Sequence, residues 1–166
     1  SRRFFGNNSA PRTRRGTRIC GSDSYKPPQS SLNGLHTIQN TRFGGRQLCH
    51  LLLDQSFLAG VGNYLRSEIL FNARLHPNRK LKSLSEEEQT RFAESAISTT
   101  QLAYEQKGVT VDKGLYDLLR EQGMSRRQAR HYVFTRDGLN CHACEGLISH
   151  TRLSGRRLDY CPNCQH

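Results

Sequence analysis

The sequence predicts a mainly α-helical protein that begins with a disordered leader and ends in a small β-hairpin flanked by cysteines. Three observations predict this fold class. Apolar residues recur at helical spacing between residues 41 and 134, two Cys-x-x-Cys knuckles stand near the C-terminus, and residues 1–40 follow neither a helical nor a strand period. We therefore divide the chain into a basic leader (1–40), a helical domain (41–134) and a four-cysteine finger (135–166).

The charge balance indicates a polyanionic partner. The 166 residues include 25 Lys and Arg against 14 Asp and Glu, which gives a formal net charge of +11. The alternative is a basic protein with a solvated surface. No stretch approaches the ~18 apolar residues of a membrane span, and the only apolar doublet near the start, Phe4-Phe5, is too short for a secretory signal. These features predict a cytoplasmic, nucleoid-associated protein.

The leader combines arginines with Gly, Asn, Ser, Thr and Pro, and 27–31 reads as a linker. It has too few apolar groups to offset the entropy of ordering. We weigh two interpretations: a basic arm that follows phosphates, and a disordered segment or remnant without such a role.

The helical elements follow from apolar spacing and capping residues. The pattern predicts a helix over 46–59, a break at Gly60-Val61-Gly62, and a second helix from Tyr64 to Asn72 with Asn63 as its N-cap. Its inward positions are Leu65, Ile69 and Leu70.

Ser85 and Glu88 form the capping box of a long helix that runs to about Lys107 and stops at Gly108. Its inward side is predicted to carry Phe92, Ala93, Ala96, Ile97, Ala103 and Tyr104. A short helix over 115–121 and a turn capped by Ser125 follow, and 132–134 reads as a short strand before the Asp137-Gly138 turn.

The cysteine knuckles predict one structural Zn²⁺. Sixteen residues separate Cys144 from Cys161, the length of a β-hairpin, and a closed shell of four cysteines is typical of structural zinc. The predicted ligands are Cys141, Cys144, Cys161 and Cys164. Two disulfides are the alternative, and His142, His150 and His166 are possible substitute ligands. Cys20 and Cys49 are interpreted as free thiols. The predicted hairpin tip is a Gly155 turn flanked by cations, which include Arg156 and Arg157.

The Gly60-Val61-Gly62-Asn63 turn has the features of a phosphate site. Glycines allow close backbone approach, and the free amides and dipole at the start of the next helix favour an anion. A tight helix-helix connection, in which Asn63 only caps the helix, is the alternative interpretation.

Two motifs carry a family resemblance. The run from Leu52 to Leu70, LLDQSFLAGVGNYLRSEIL, resembles the helix-two-turn-helix segment of the formamidopyrimidine-DNA glycosylase and endonuclease VIII family, most closely its bacterial endonuclease VIII branch. Arg136-Asp137-Gly138 and the finger that closes on 161–166 are similar to the family's C-terminal end. The resemblance covers about Thr41 to the C-terminus.

The resemblance implies base-excision repair and, as the partner, double-stranded DNA that is damaged or abasic. In the family, an asparagine at the position of Asn63 contacts phosphate together with the adjacent turn amides, here those of Gly62 and Tyr64. A hairpin arginine at the position of Arg156 grips the phosphates that flank the flipped nucleotide. Arg157, which lies beside it, is also predicted to contact DNA. We expect a monomer.

One departure bears on catalysis. Family members begin with proline and glutamate at the head of a β-sandwich domain, and the proline amine attacks the sugar carbon to form a Schiff base. This sequence begins Ser1-Arg2-Arg3 and leaves no room for a β-sandwich before Thr41. We therefore expect DNA binding without cleavage, no catalytic residue in this chain, and a structural role for Glu68.

Two other function classes are kept. The Gly60-Val61-Gly62 turn is also similar to the helix-two-turn-helix of a ribosomal small-subunit protein, and zinc ribbons are common in ribosomes. A non-catalytic RNA or ribosome binder is therefore the principal alternative. A zinc-ribbon adaptor between proteins is the third interpretation.

Overall fold

The computed structural model describes residues 41–166, so the leader predicted for residues 1–40 lies outside the described residues. Within 41–166 the fold is mainly helical with one antiparallel hairpin, as predicted. The elements are α1 (Leu48–Leu51), α2 (Asn63–Asn72), α3 (Glu86–Glu105), α4 (Lys113–Glu121), α5 (Arg126–Ala129), β1 (Ser149–Leu153) and β2 (Arg156–Tyr160), with 3₁₀ turns at Thr41–Phe43 and Leu81–Ser83.

The long helix α3 begins as the capping box predicts. Ser85 Oγ accepts the N–H of Glu88, and the Glu88 carboxylate accepts the N–H of Ser85. The predicted inward residues Phe92, Ala93, Ala96 and Ala103 are buried against α2 and its neighbours.

Tyr104, which was predicted on the inward side of α3, is 88% exposed. It follows the buried Ala103 by one residue, which is a rotation of about 100° around the helix axis. The helix ends at Glu105, so no later turn carries a neighbour over it. The prediction for Tyr104 is therefore wrong.

The helix predicted over 46–59 is also wrong in extent, because only Leu48–Leu51 is helical. Side chains compete with the backbone after that point. The Asp54 carboxylate accepts both the N–H (2.8 Å) and the hydroxyl (2.6 Å) of Ser56, and Gln55 Oε1 accepts the N–H of Gly60 at 2.9 Å. The apolar spacing predicts an inward face that also includes Leu58, which is only half-buried, but it marks most of the buried side chains correctly. Buried residues of this stretch are Leu48, Leu51, Leu52 and Phe57.

Residues 132–134 do not form the predicted strand. Their three consecutive N–H groups, which a strand would use for pairing, instead donate to the carboxylate of Glu68 on α2. The N···O distances are 2.8 Å from Tyr132 and 2.9 Å from both Val133 and Phe134. Glu68 is fully buried, as expected of a structural residue.

The predicted hairpin is present. Strands β1 and β2 pair antiparallel, with Ser149 opposite Tyr160 and Leu153 opposite Arg156. The two turn residues, Ser154 (φ 51°) and Gly155 (φ 73°), both have positive φ, which is the geometry of a two-residue type I′ turn.

The buried residues form two hydrophobic clusters, one in the helical part and one in the finger, and each cluster includes a residue from the other part. Leu158 of β2 belongs to the helical core, whereas Phe71 of α2 packs with Val133, Ile148 and the finger cysteines. The end of the finger is also held by the helical part: Gln165 Nε2 donates to the carbonyl of Leu75 at 2.9 Å, and His76 N–H to that of His166 at 2.9 Å. No helix within residues 41–166 combines the length and apolar character that crossing a bilayer demands.

Candidate nucleic-acid interface and metal centre

The turn before α2 is open on its outer side. Gly60 has φ +85°, and a Cβ built on Gly60 or Gly62 would meet no atom within 4 Å. The first backbone N–H groups of α2 have no partner within the helix. The turn therefore leaves donors and space for an incoming acceptor.

Asn63 is not the N-cap that the sequence predicted. Gly62 holds that position with extended backbone angles (φ −106°, ψ −170°), and no side chain caps the helix. Asn63 is the first helical residue and is half-buried. Its Oδ1 is buried without a hydrogen-bond partner among the described residues. The capping interpretation of Asn63 is thus wrong, and its amide has no assigned partner in the fold.

The first turns of α2 are fastened to β2. The buried Arg66 donates from Nη2 to the carbonyl of Arg157 (3.0 Å) and from Nη1 to that of Cys49 (3.1 Å). Ser67 Oγ accepts the N–H of Asp159 at 3.2 Å and donates to the carbonyl of Asn63 at 3.2 Å. These bonds join the residues around Asn63 to the strand that begins at Arg156.

Arg156 and Arg157 have different surroundings. Arg156 is exposed. The pKa of Arg66 is lowered mainly by the burial of Arg66 itself, and the positive charge of Arg156 lowers it further. Arg157 is held by carboxylates: its Nε lies 2.8 Å from Oδ2 of the buried Asp159, and its Nη2 pairs with Asp137. These two carboxylates raise the pKa of Arg157, with Asp159 the larger cause. Arg156 is therefore the less committed of the two cations.

Tyr64 belongs to an aromatic group behind the turn. Its ring centroid lies 5.3 Å from that of His131 and 6.3 Å from that of Phe134. Tyr64 is half-buried, and its ring packs against these two aromatic side chains.

The four predicted zinc ligands converge. The Sγ atoms of Cys141, Cys144, Cys161 and Cys164 all lie within 4.8 Å of one another. The separations Cys141–Cys164 (3.9 Å) and Cys144–Cys161 (3.5 Å) are far from a disulfide bond of about 2.05 Å. They are close to the ~3.8 Å edge of a tetrahedron with Zn–S bonds of about 2.3 Å. The donor set and its spacing fit a tetrahedral metal ion, and these cysteines are free thiols rather than disulfides.

Backbone N–H groups lie next to two of the four cysteines. The N–H of Ala143 points at Cys141 Sγ (3.4 Å), and a bond from the N–H of Gly146 is the largest cause that lowers the pKa of Cys144 to about 7. His142, His150 and His166 lie outside the cluster. Thiolate is the form that binds metal. The pKa of Cys144 is shifted toward that form, whereas burial raises the pKa of Cys161 and of Cys164.

The sequence analysis did not predict that two buried residues of this region, Arg66 and Ser67, connect α2 to β2. Arg66 and Ser67 lie between apolar positions of α2, and a charge inside an apolar helix face is the one signal that could have marked Arg66. The partner of Arg66 on β2 is 91 residues away in the chain, so no local pattern pointed to the contact.

Known proteins match this sequence and fold. Endonuclease 8 of Escherichia coli O1:K1 / APEC is 41% identical over 129 residues, which are 78% of this chain and 46% of the relative. Endonuclease 8 of Salmonella arizonae is 42% identical over 128 residues, 77% of this chain and 45% of the relative. The chain thus spans about half the length of the curated relatives it matches.

Solved structures show the same fold. The MutM (Fpg) protein of Thermus thermophilus superposes with a TM-score of 0.64 and 35% identity over 81% of this chain and 49% of that protein. Lactococcus lactis Fpg, solved with DNA that contains an abasic site, gives a TM-score of 0.63 over 82% of this chain and 47% of its own. At 22% identity it shows likeness of fold alone. Residues 26–113, more than half of the chain, match the family described as Formamidopyrimidine-DNA glycosylase H2TH domain, and the chain belongs to that family.

Proposed function

We propose that residues 41–166 bind the sugar-phosphate backbone of damaged or abasic double-stranded DNA in base-excision repair. The family and its Endonuclease 8 relatives are DNA-repair proteins. The observation that supports the proposal most is the pair of contacts from Arg66 and Ser67 to β2, because they fasten the start of α2 beside the strand that begins at Arg156. One rigid corner would then offer two kinds of phosphate ligand.

Each residue of the corner has a proposed role. Asn63, with the backbone N–H groups of Gly62 and Tyr64, would bind one phosphate at the positive end of the α2 dipole. Arg156 would bind a neighbouring phosphate with its guanidinium fork. We assign Arg157 a supporting role beside it, since its guanidinium is already paired with Asp159 and Asp137.

We further propose that the four finger cysteines hold one structural zinc ion. Such an ion supplies folding free energy to a segment that is too short to build a large core of its own. The Sγ separations and the N–H groups directed at Cys141 and Cys144 support this assignment. The zinc finger would in turn fix β1 and β2, and with them Arg156.

No chemical step is proposed for residues 41–166. In the family, chemistry is carried by an N-terminal proline and glutamate, and no residue in this range matches either. We therefore propose DNA binding, and neither glycosylase nor lyase activity, for residues 41–166.

The binding proposal is tested with the full chain and a fluorescent duplex that carries one abasic site, compared with the intact duplex. Asn63→Ala and Arg156→Ala should each weaken binding by roughly 1.5–3 kcal/mol, the scale of a hydrogen bond to a charged group. Arg152→Ala is the matched control, because Arg152 is exposed on β1 directly opposite Arg157. Fluorescence anisotropy at several salt concentrations provides the affinities.

The outcomes separate the function classes. Log K should fall by about 0.9 per decade of salt for each phosphate neutralised on duplex DNA. If Asn63→Ala and Arg156→Ala bind as tightly as wild type, or if Arg152→Ala loses as much, the phosphate assignment is wrong. Tighter binding to structured RNA without a preference for abasic DNA would favour the RNA binder, and affinity that ignores salt would favour the protein adaptor.

A further inference from the structure

Arg136 is a buried cation at the entrance to the finger. Only 3% of it is exposed. Its Nη1 donates to the carbonyl of Tyr132 (2.6 Å) and its Nη2 to that of Asn140 (2.8 Å), which is the residue before Cys141. Its Nε is buried with no partner among the described residues. The two backbone bonds explain the position of the guanidinium but leave its positive charge without a paired carboxylate.

Two negative groups act on the charge of Arg136. The pKa of Arg136 is lowered by burial, and the negative charges that oppose this shift are those of Cys141 first and Glu68 second. Arg136 and Cys141 also line one cleft of about 630 Å³ beside the knuckle, together with His142 and Glu145. Among these groups, Cys141 is a predicted metal ligand. The buried cation thus shares a cleft with one member of the cysteine cluster.

A four-cysteine centre that holds a divalent ion would carry a negative charge, which the positive charge of Arg136 could offset. Four thiolates and one divalent ion carry a net charge of −2. Three of the four cysteines, Cys141, Cys161 and Cys164, are buried, and a buried net charge is costly unless an opposite charge accompanies it. Glu68 already has four hydrogen-bond donors of its own. Arg136 has no such commitment of its charge.

We propose that Arg136 is the counter-ion of the four-cysteine centre, a positioning residue that raises metal affinity by neutralising part of the thiolate charge. This inference rests on the proposed zinc site. It differs from a purely architectural role, in which Arg136 would only hold the carbonyls of Tyr132 and Asn140 in place. The two roles make different demands on the side chain: the first needs a positive charge, the second needs a planar fork with two donors.

The test compares three substitutions. Arg136→Lys keeps a positive charge and loses the fork, Arg136→Gln keeps a planar donor and loses the charge, and Arg136→Met loses both. Arg152→Met, at an exposed arginine of β1, is the control. Zinc affinity of the full chain is measured by competition with a chromophoric chelator. We expect a loss of roughly 10–100-fold for the Gln and Met variants, the usual effect of removing a partner of metal ligands, and near-wild-type affinity for the Lys variant and the control.

A second readout follows the thiolates directly. In the Co²⁺-substituted protein, the sulfur-to-metal charge-transfer band reports how strongly nearby charge stabilises the sulfur electrons. Loss of the cation should move this band to longer wavelength in Arg136→Gln and leave it unchanged in Arg136→Lys. A loss of the backbone staple alone would not shift the band in this order, and the band is read from metal-bound protein even if a variant is less stable.

Three results would overturn the inference. Wild-type zinc affinity in Arg136→Gln and Arg136→Met would show that the charge is not needed. Equal losses in Arg136→Lys and Arg136→Gln would show that the fork, and not the charge, matters. A wild-type chain that binds no zinc would remove the metal site and the counter-ion together, whereas the first two results remove only the role of Arg136.

Discussion

The carboxylate of Glu68 accepts four hydrogen bonds, one from the Thr110 hydroxyl (2.7 Å) and three from the backbone of residues 132–134. Burial raises the pKa of Glu68, and these four donors oppose the shift. Because all four address lone pairs of the ionised form, protonation would displace a donor. A single side chain on α2 thus fixes the backbone that leads into the finger.

The sequence marks single residues well when their partners are local. The cysteine spacing located all four Sγ atoms of the cluster, and the capping box of α3 located its start. The partners of Glu68 lie 42 to 66 residues away in the chain. Nothing within the helical period of α2 distinguishes a buried carboxylate that binds amides from one that faces solvent, so this contact could not be predicted.

His131 makes stability depend on pH. It is 1% exposed, and its Nδ1 lies 2.8 Å from the hydroxyl of Thr110. Burial, with a smaller contribution from Arg130, lowers its pKa to about 3. As the pH falls through 6.5, His131 binds a proton in the unfolded chain but stays neutral in the folded chain. The folded state is therefore most stable, with respect to His131, above pH 6.5 and loses stability as the pH falls below that value. From about pH 7.5 to about pH 5.0 the loss should be about 2 kcal/mol.

Urea unfolding of the zinc-loaded protein at both pH values measures this effect. Acid also protonates cysteines in every variant, so the quantity of interest is the difference between variants. His131→Gln should lose about 2 kcal/mol less than wild type over this range. An identical pH dependence in His131→Gln and wild type would contradict the role of burial.

At the scale of the elements, the spacing of apolar residues in the sequence predicts which residues are buried better than it predicts where a helix ends. The stretch 46–59 has Leu48, Leu51, Leu52 and Phe57 buried, yet Asp54 and Gln55 bind neighbouring backbone and limit the helix to four residues. The hairpin is the opposite case: its length between knuckles and its Ser154-Gly155 turn are local signals, and the register follows from them. The hairpin could be predicted because its turn is set by neighbouring residues. The end of α1 could not, because hydrogen bonds from the side chains of Asp54 and Gln55 to nearby backbone decide it.

The turn of the hairpin can be tested by backbone conformation alone. Gly155 has φ +73°, and a Cβ there would meet no atom within 4 Å, so no clash complicates the result. Gly155→Ala should destabilise the protein by about 1 kcal/mol, since the left-handed region disfavours a side chain. Gly155→Asn should cost less, because asparagine tolerates that region.

Chemical unfolding in excess zinc gives the two free energies, and binding to the abasic duplex shows whether the tip still positions Arg156. If alanine and asparagine prove equally destabilising, the positive φ is not the cause.

At the scale of the whole molecule, the helical part and the finger share their interiors. Leu158 lies in the helical core and Phe71 in the finger core, and Arg66 donates across the boundary to Arg157. The division of the chain at residue 134 remains a prediction about folding units. The overall class was predictable because periodicity and cysteine spacing each act within one part, but the contacts between the parts have no sequence signature.

Removal of zinc tests how far the two parts depend on each other. Loss of the finger would take from the buried Arg66 its acceptor on β2, and a buried charged donor without a partner costs on the order of 2 kcal/mol. We therefore expect chelation to speed amide hydrogen exchange in α2 as well as in β1 and β2, and restored zinc to reverse it. Faster exchange confined to the strands would show two independent units.

The bonds that join α2 to β2, and Leu75 to Gln165, bridge 91 and 90 residues. During synthesis on the ribosome, α2 emerges long before any of these partners exists. Arg66 can bind the carbonyl of Cys49 as soon as α2 folds, but its hydrogen bond to Arg157 cannot form until residues 157–165 have left the exit tunnel. Helix α2 can therefore pack against α3 before it can pack against β2, and its contacts with the strand that carries Arg157 are among the last of residues 41–166 to form.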